Sequence, residues 1–155
     1  MYNTILVSHA GTEAGDKALE HAIYLASTSS KIIILHIVEE IQYPPSFTLS
    51  SSEHKNLLKS IDTANKEMRE DMAKKMEKYA QQCKEKGIPS EVIVKIGDAA
   101  ENILRVITNQ KVDLVVMSKR RKLKGIKKLL SLGSVSRKIV ENTSCPIFLL
   151  DIEKL

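Results

Sequence analysis

Apolar and polar residues follow one another in blocks that alternate between strand-like and helix-like spacing. Short apolar runs occur at Thr4–Ser8, Lys31–Val38, 91–96, 113–118 and Ile147–Leu150. Lys31–Val38 is nearly continuous, and 91–96 alternates in part. A continuous apolar run of this length is typical of a strand whose two faces are both covered. The pattern therefore predicts five strands, of which Lys31–Val38 and 113–118 are buried.

Segments with helical spacing lie between these runs. The first follows Thr12, a suitable cap, and the second follows a Pro- and Ser-containing loop at 41–52. The second helix is long and ends before Gly87 and Pro89. Apolar residues recur along it every three or four positions and predict a face toward the core: Leu57, Ile61, Ala64, Met68, Met72, Met76, Tyr79 and Cys83. A third helix begins after Asp98, and the last occupies Ser134–Asn142.

Five strands alternating with helices predict an α/β fold with one parallel sheet and helices on both faces. A chain of 155 residues fits a single domain. Two strand orders, 2-1-3-4-5 and 3-2-1-4-5, satisfy the usual connection rules. Only the second brings the turn at 8–10 beside Met117 and Ser118, where such sheets bind ligands.

Charge is concentrated in one segment. The chain carries a formal +5, yet residues 119–128 alone hold seven Lys and Arg and no acid. Subtracting these seven charges from +5 leaves −2 for the rest of the chain. This basic cluster (residues 119–128) is either a solvated surface segment or part of an anion site.

Gly133 and Ser134 follow the basic cluster and precede the last helix. A strand, a loop, Gly-Ser and a helix start form a common phosphate-binding arrangement, because the first amides of the helix point at the anion. The same pair is also an ordinary helix cap. The sequence thus favours an anion site here without requiring one.

Other chemistry finds little support. The two cysteines, Cys83 and Cys145, fit no metal or redox spacing, and no His, Cys and carboxylate set has metal-ligand spacing. His9 follows the first strand without a recognisable nucleophile, so we interpret it as a polar loop residue. No P-loop or nucleophile elbow is present. We expect a reduced cytoplasmic protein without a signal peptide or membrane span, and not an enzyme.

The chain resembles the universal stress protein (UspA-type) family over essentially its full length, in the order and spacing of several short segments. The matching segments are 5–7, 18–22, 35–39, 94–98, 112–117, 133–136 and 145–147. The resemblance implies a three-layer, doubly wound sheet of order 3-2-1-4-5, Rossmann-like and of the adenine nucleotide alpha hydrolase-like type. It also implies a homodimer that pairs through the last strand, Ile147–Leu150.

One branch of that family binds ATP through an Asp after strand 1 and a loop of Gly, two residues, Gly, nine residues and Gly-Ser. Here Ala10 stands at the Asp position, and Ser118 and Arg121 stand at the first two glycines. The loop is also about two residues longer. The positions implied to hold a nucleotide are Ile37, Met117, Gly133, Ser134 and Val135, with Arg121 as a substitute phosphate contact. The resemblance therefore implies a degenerate, weak ATP or AMP site, and at most a very slow ATPase.

A second function stays open. The basic cluster would also suit docking to an acidic protein partner or another anionic molecule. Nucleic acid is less favoured, because none of the four Tyr and two Phe residues lies in the cluster to stack on bases.

Overall fold

The computed structural model describes residues 1–41, 49–119 and 133–151. Strands and helices alternate as the sequence predicts. The strands are β1 (Thr4–Ser8), β2 (Lys31–Val38), β3 (Ser90–Ile96), β4 (Leu114–Ser118) and β5 (Ile147–Leu150). The helices are α1 (Glu13–Leu25), α2 (Ser51–Glu85), α3 (Ala99–Asn109) and α4 (Ser134–Asn142).

All pairings in the sheet are parallel, and the strand order is β3-β2-β1-β4-β5. The order 3-2-1-4-5 is confirmed, and the alternative 2-1-3-4-5 is wrong. Central strand β1 pairs on both sides, so Ser8 lies opposite Leu35 of β2 and Met117 of β4. The turn after β1 therefore lies beside the end of β4.

Alternate side chains of each strand enter two separate apolar cores. Ile5 and Val7 of β1 pack with α1 and α2, whereas Leu6 packs with α3 and α4. The buried part of β2 enters both cores in the same way, which explains its continuous apolar sequence. We call the two sides the α1/α2 face and the α3/α4 face.

The long helix α2 is confirmed, but it begins earlier than predicted. Ser51, Ser52 and His54 lie in the helix, not in the loop. The cause is a capping box: the Ser50 hydroxyl accepts from the Glu53 amide at 3.4 Å, and the Glu53 carboxylate accepts from the Ser50 amide at 2.9 Å. The prolines of the predicted loop lie outside the described residues.

The other helix termini agree with the sequence in part. α1 does follow Thr12, but among the described residues the Thr12 side chain makes no capping bond. Asp98 caps α3 as predicted, since its Oδ1 accepts from the Glu101 amide at 2.8 Å. This bond, and to a smaller extent Lys138, lowers the pKa of Asp98 below its usual range.

Asp113 ties the start of β1 to the start of β4. Its two carboxylate oxygens accept from the Asn3 amide at 2.8 Å and from the Thr4 amide at 2.9 Å. We expect Asp113→Ala to lower the free energy of unfolding by about 2 kcal/mol, since bonds to a charged acceptor are among the stronger ones. Chemical denaturation measures this loss. Asp113→Asn keeps one oxygen acceptor and should lose less; an unchanged Asp113→Ala protein would contradict this role.

Candidate functional site

The candidate site lies at the carboxyl ends of β1 and β4. The chain leaves β1 toward β2 on one side, while β4 lies on the other, so the connections diverge at this point. Open parallel sheets bind ligands outside such a divergence. The turn 10–12 after β1 is exposed there, and Ser118 ends β4 half-buried.

The N-terminus of α4 supplies backbone donors at the same end of the sheet. Gly133 is the residue before the helix, and the first helical bond runs from the Arg137 amide to the Gly133 carbonyl at 3.0 Å. The amides of Ser134, Val135 and Ser136 therefore have no acceptor within the helix. Together with the helix dipole, such amides form a site for an anion.

The backbone conformation at position 133 does not require glycine. Its φ of −66° and ψ of 163° are open to any residue. A Cβ added there would meet no described atom within 4 Å. The described part of the fold thus does not explain a glycine at this position.

The structure brings three predicted nucleotide contacts to one side of the sheet. Ile37, Met117 and Val135 all belong to the apolar cluster on the α3/α4 face. Met117 is buried, and the other two are half-buried. Gly133 and exposed Ser134 stand at the start of α4 on the same face. The predicted contacts thus lie on the same face of the sheet as the α4 N-terminus.

Of the loop between β4 and α4, the structure describes Lys119 and Gly133. Arg121 and the rest of 120–132 lie outside the described residues, so its predicted phosphate contact stays a prediction. Lys119 is described: its Nζ lies 3.3 Å from Asp151 Oδ2, and its amide donates to the Leu150 carbonyl at 2.8 Å. Lys119 thus extends the pairing of β4 with β5, and Asp151 balances its charge.

His9 has a more specific environment than the sequence predicted. It follows β1, as expected of a loop residue, but it is only 1% exposed. Its Nδ1 accepts from the Gly11 amide at 3.0 Å, and its ring centroid lies 4.0 Å from that of Tyr79. Its Nε2 lies 3.2 Å from Asp16 Oδ1, although the two are not well aligned for a hydrogen bond.

Burial lowers the pKa of His9 below its ordinary value. Asp16 acts against this shift, while the nearby His36 and Lys78 add to it more weakly. The Gly11 bond requires a lone pair on Nδ1, so the neutral ring carries its proton on Nε2. Gly15 is the sequence signal that was missed: a Cβ there would lie 2.6 Å from His9 Nδ1.

The described residues form neither a metal site nor a membrane span. Over 1–41, 49–119 and 133–151, no cluster of three or more His, Cys, Asp or Glu residues is arranged to hold a metal ion. Within the same ranges, no helix combines the length and apolar character needed to cross a membrane.

Comparison with known proteins agrees with this architecture. The sequence profile described as "Universal stress protein family" matches residues 1–150. The Bacillus subtilis universal stress protein YxiE is 30% identical over 154 residues, which cover 97% of this chain and 99% of YxiE.

Solved structures show the same fold. One is MJ0577, named as a universal stress protein of Methanocaldococcus jannaschii, with a TM-score of 0.77 and 20% identity over 97% of this chain and 96% of that one. Another is an Arabidopsis thaliana universal stress protein family member solved with AMP bound, with a TM-score of 0.55 and 17% identity over 96% and 90% of the chains. The chain belongs to the universal stress protein family.

Proposed function

We propose that this universal stress protein is a non-catalytic, stress-response signalling module that binds an adenine nucleotide, ATP or AMP, weakly. The phosphate would lie at the first-turn amides of α4, and the base would lie toward Ile37 and Met117. The α4 N-terminus carries this proposal, because it has no side-chain cap and no described atom lies within 4 Å of a Cβ added at Gly133. The AMP-bound plant relative of the same fold supports it.

Weak binding follows from the turn after β1. Ala10 is exposed at the position where the resemblance implies an Asp, and its methyl group forms no hydrogen bond. Each lost hydrogen bond of this kind costs about 1–3 kcal/mol, or roughly 5- to 150-fold in affinity. The proposed contact of Arg121 with a phosphate would recover part of this loss.

Calorimetry tests the proposal. Titration with ATP, ADP, AMP and cyclic AMP up to millimolar concentrations should give saturable heat for at least one adenine nucleotide. Inorganic phosphate should bind more weakly, because it lacks the half that would contact Ile37 and Met117. The absence of heat with every nucleotide at millimolar concentration would contradict the proposal.

A homodimer through β5 is part of the proposal. Strand β5 is at the edge of the described sheet and pairs there with β4. Two apolar side chains are exposed, Phe148 of β5 at 39% and Val140 of α4 at 46%. An edge strand with apolar neighbours is suited to pairing with a second copy. Sedimentation should give a dimer for the wild type and a larger monomer fraction for Phe148→Asp.

The alternative is an interaction protein whose basic cluster docks an acidic partner. Seven positive charges within ten residues favour it. Neutralising residues 119–122 should then abolish partner binding, and wild-type binding should weaken steeply with salt. Neutralising exposed Lys74 and Lys75 of α2 is the matched control. If nucleotide binding falls instead while partner binding persists, the cluster belongs to the nucleotide site.

A further inference from the structure

The turn after β1 is pinned at two points by buried imidazoles. The His9 carbonyl accepts from His36 Nδ1 at 2.7 Å, and the Gly11 amide donates to His9 Nδ1 at 3.0 Å. Gly11 has a φ of 72°, which only glycine adopts readily. The main-chain path between β1 and α1 is therefore set by the His9 ring beneath it.

This ring has little freedom. The Tyr79 ring of α2 packs against it at a tilt of 41°, and Gly15 of α1 approaches so closely that no side chain would fit between them. Lys78 Nζ lies 4.6 Å from the centre of the Tyr79 ring. His9 is thus enclosed by α1, α2 and β2, on the α1/α2 face of the sheet.

A proton on His9 Nδ1 and the Gly11 hydrogen bond exclude each other. The protonated nitrogen would present a donor to the Gly11 amide, which is also a donor. The imidazolium can therefore form only if the Gly11 amide turns away. Among the surrounding groups, Asp16 favours the cation, while His36, Lys78 and burial oppose it.

The turn controlled by this contact belongs to the proposed nucleotide site. Residues 10–12 are exposed next to the ends of β1 and β4, and α4 begins on the opposite, α3/α4 face. A charge on the His9 ring would lie on the α1/α2 face beside Asp16. Protonation of His9 would therefore change nucleotide affinity mainly by altering the conformation of the turn, and less by direct electrostatic attraction.

We propose that His9 is a positioning residue that holds the turn in its nucleotide-binding form only while the ring is neutral. Acidification releases the turn and weakens nucleotide binding. The role of His9 in holding the turn rests on contacts within this chain alone. The effect of acidification on nucleotide binding rests on the proposed function. Loss of one hydrogen bond of this kind corresponds to about a tenfold loss of affinity.

The sign of the pH dependence follows from the direction of the pKa shift. The folded protein binds the His9 proton less tightly than the unfolded chain, whose histidine titrates near the ordinary value of 6.5. The contribution of neutral His9 to stability is therefore complete above pH 6.5. It declines as the pH falls from 6.5 toward the lower pKa of the folded state.

Nuclear magnetic resonance tests the positioning role. Wild-type protein should show a neutral His9 with its proton on Nε2, and the Gly11 amide shift should change in step with His9 titration below pH 6.5. His9→Asn offers an oxygen acceptor that does not titrate, so it should keep Gly11 protected from hydrogen exchange without the pH dependence. His9→Ala should lose that protection at every pH. A Gly11 amide that ignores His9 titration would overturn the role.

Cyclic AMP binding tests the coupling. Its phosphodiester avoids the second ionisation of a phosphate monoester near pH 6. Wild-type affinity should fall as the His9 ring protonates below pH 6.5, by up to about tenfold, and His9→Asn should flatten this profile. His21→Asn, a control at a half-buried histidine of α1, should leave it unchanged. Equal profiles for wild type and His9→Asn would overturn the coupling.

No nucleotide binding at any pH would overturn the proposed function and the coupling, while the Gly11 measurement would still decide the positioning role.

Discussion

Gly133→Asp is expected to weaken nucleotide binding severely while leaving the protein as stable as the wild type or slightly more stable. The backbone at Gly133 already has the conformation of a helix cap, and no described atom obstructs a side chain there. An Asp would accept from the first-turn amides and interact well with the helix dipole, which adds about 0.5 kcal/mol. The same carboxylate would occupy the proposed phosphate position and repel the phosphate. We expect a loss of affinity of about 100-fold or more, since two like charges about 4 Å apart at a protein surface repel by several kcal/mol.

Gly133→Asn is the matched control. It caps the helix equally well without a charge. Calorimetry should show a smaller loss of nucleotide affinity than for Gly133→Asp, and thermal unfolding should show similar stability for the two variants. Wild-type affinity in Gly133→Asp would place any nucleotide site elsewhere. Equal losses in both variants would contradict the electrostatic part of the argument.

Gly15→Ala is expected to lower the free energy of unfolding by about 2 kcal/mol, although Ala normally stabilises a helix. An exposed Gly→Ala change within a helix gains about 1 kcal/mol. Here the new methyl group would lie 2.6–2.9 Å from three atoms of the His9 ring. The ring packs against Tyr79 and cannot withdraw without breaking the Gly11 bond, so overpacking outweighs the gain.

The effect of Gly15→Ala should change sign when His9 is removed. In a His9→Ala background the clash is absent, so Gly15→Ala should raise stability by about 0.5–1 kcal/mol. Chemical denaturation of the four proteins gives the coupling energy, which we expect to be about 3 kcal/mol. A coupling energy near zero would mean that the ring is not held as described.

Much of the fold was predictable because it depends on local patterns. Buried strand β2 is continuously apolar, and the inward face of α2 repeats every three or four residues. The strand order was not decided by periodicity, since two orders satisfied the connection rules. The family resemblance selected the order that the pairing of β1 with β4 confirms.

The sequence prediction differed from the structure at helix ends, where a single capping interaction decides, and at His9, where a contact distant in sequence decides. The serines before α2 read as loop, yet Ser50 with Glu53 forms a capping box and starts the helix there. The position of Thr12 before α1 was correct, but its side chain does not cap. The burial of His9 depends on Gly15 and on Tyr79, seventy residues along the chain, and no local pattern reveals that contact.

For the candidate site, only the placement of its residues in the fold can be compared with the sequence prediction. Alternation along parallel strands puts Ile37 and Met117 on one face, and Val135 joins them because α4 packs there. The reason for Gly133 was not predictable from sequence, because only the backbone angles show that the turn itself does not need glycine. The contribution of Arg121 depends on a segment outside the described residues.

The amide spectrum of the α4 N-terminus tests the central claim most directly. During titration with AMP, the amides of Ser134, Val135 and Ser136 should shift together and saturate. The amides around Lys74, in the middle of α2, should stay unchanged. That result would locate the phosphate at the first turn of α4. Saturable AMP binding that leaves these three amides unmoved would contradict the account.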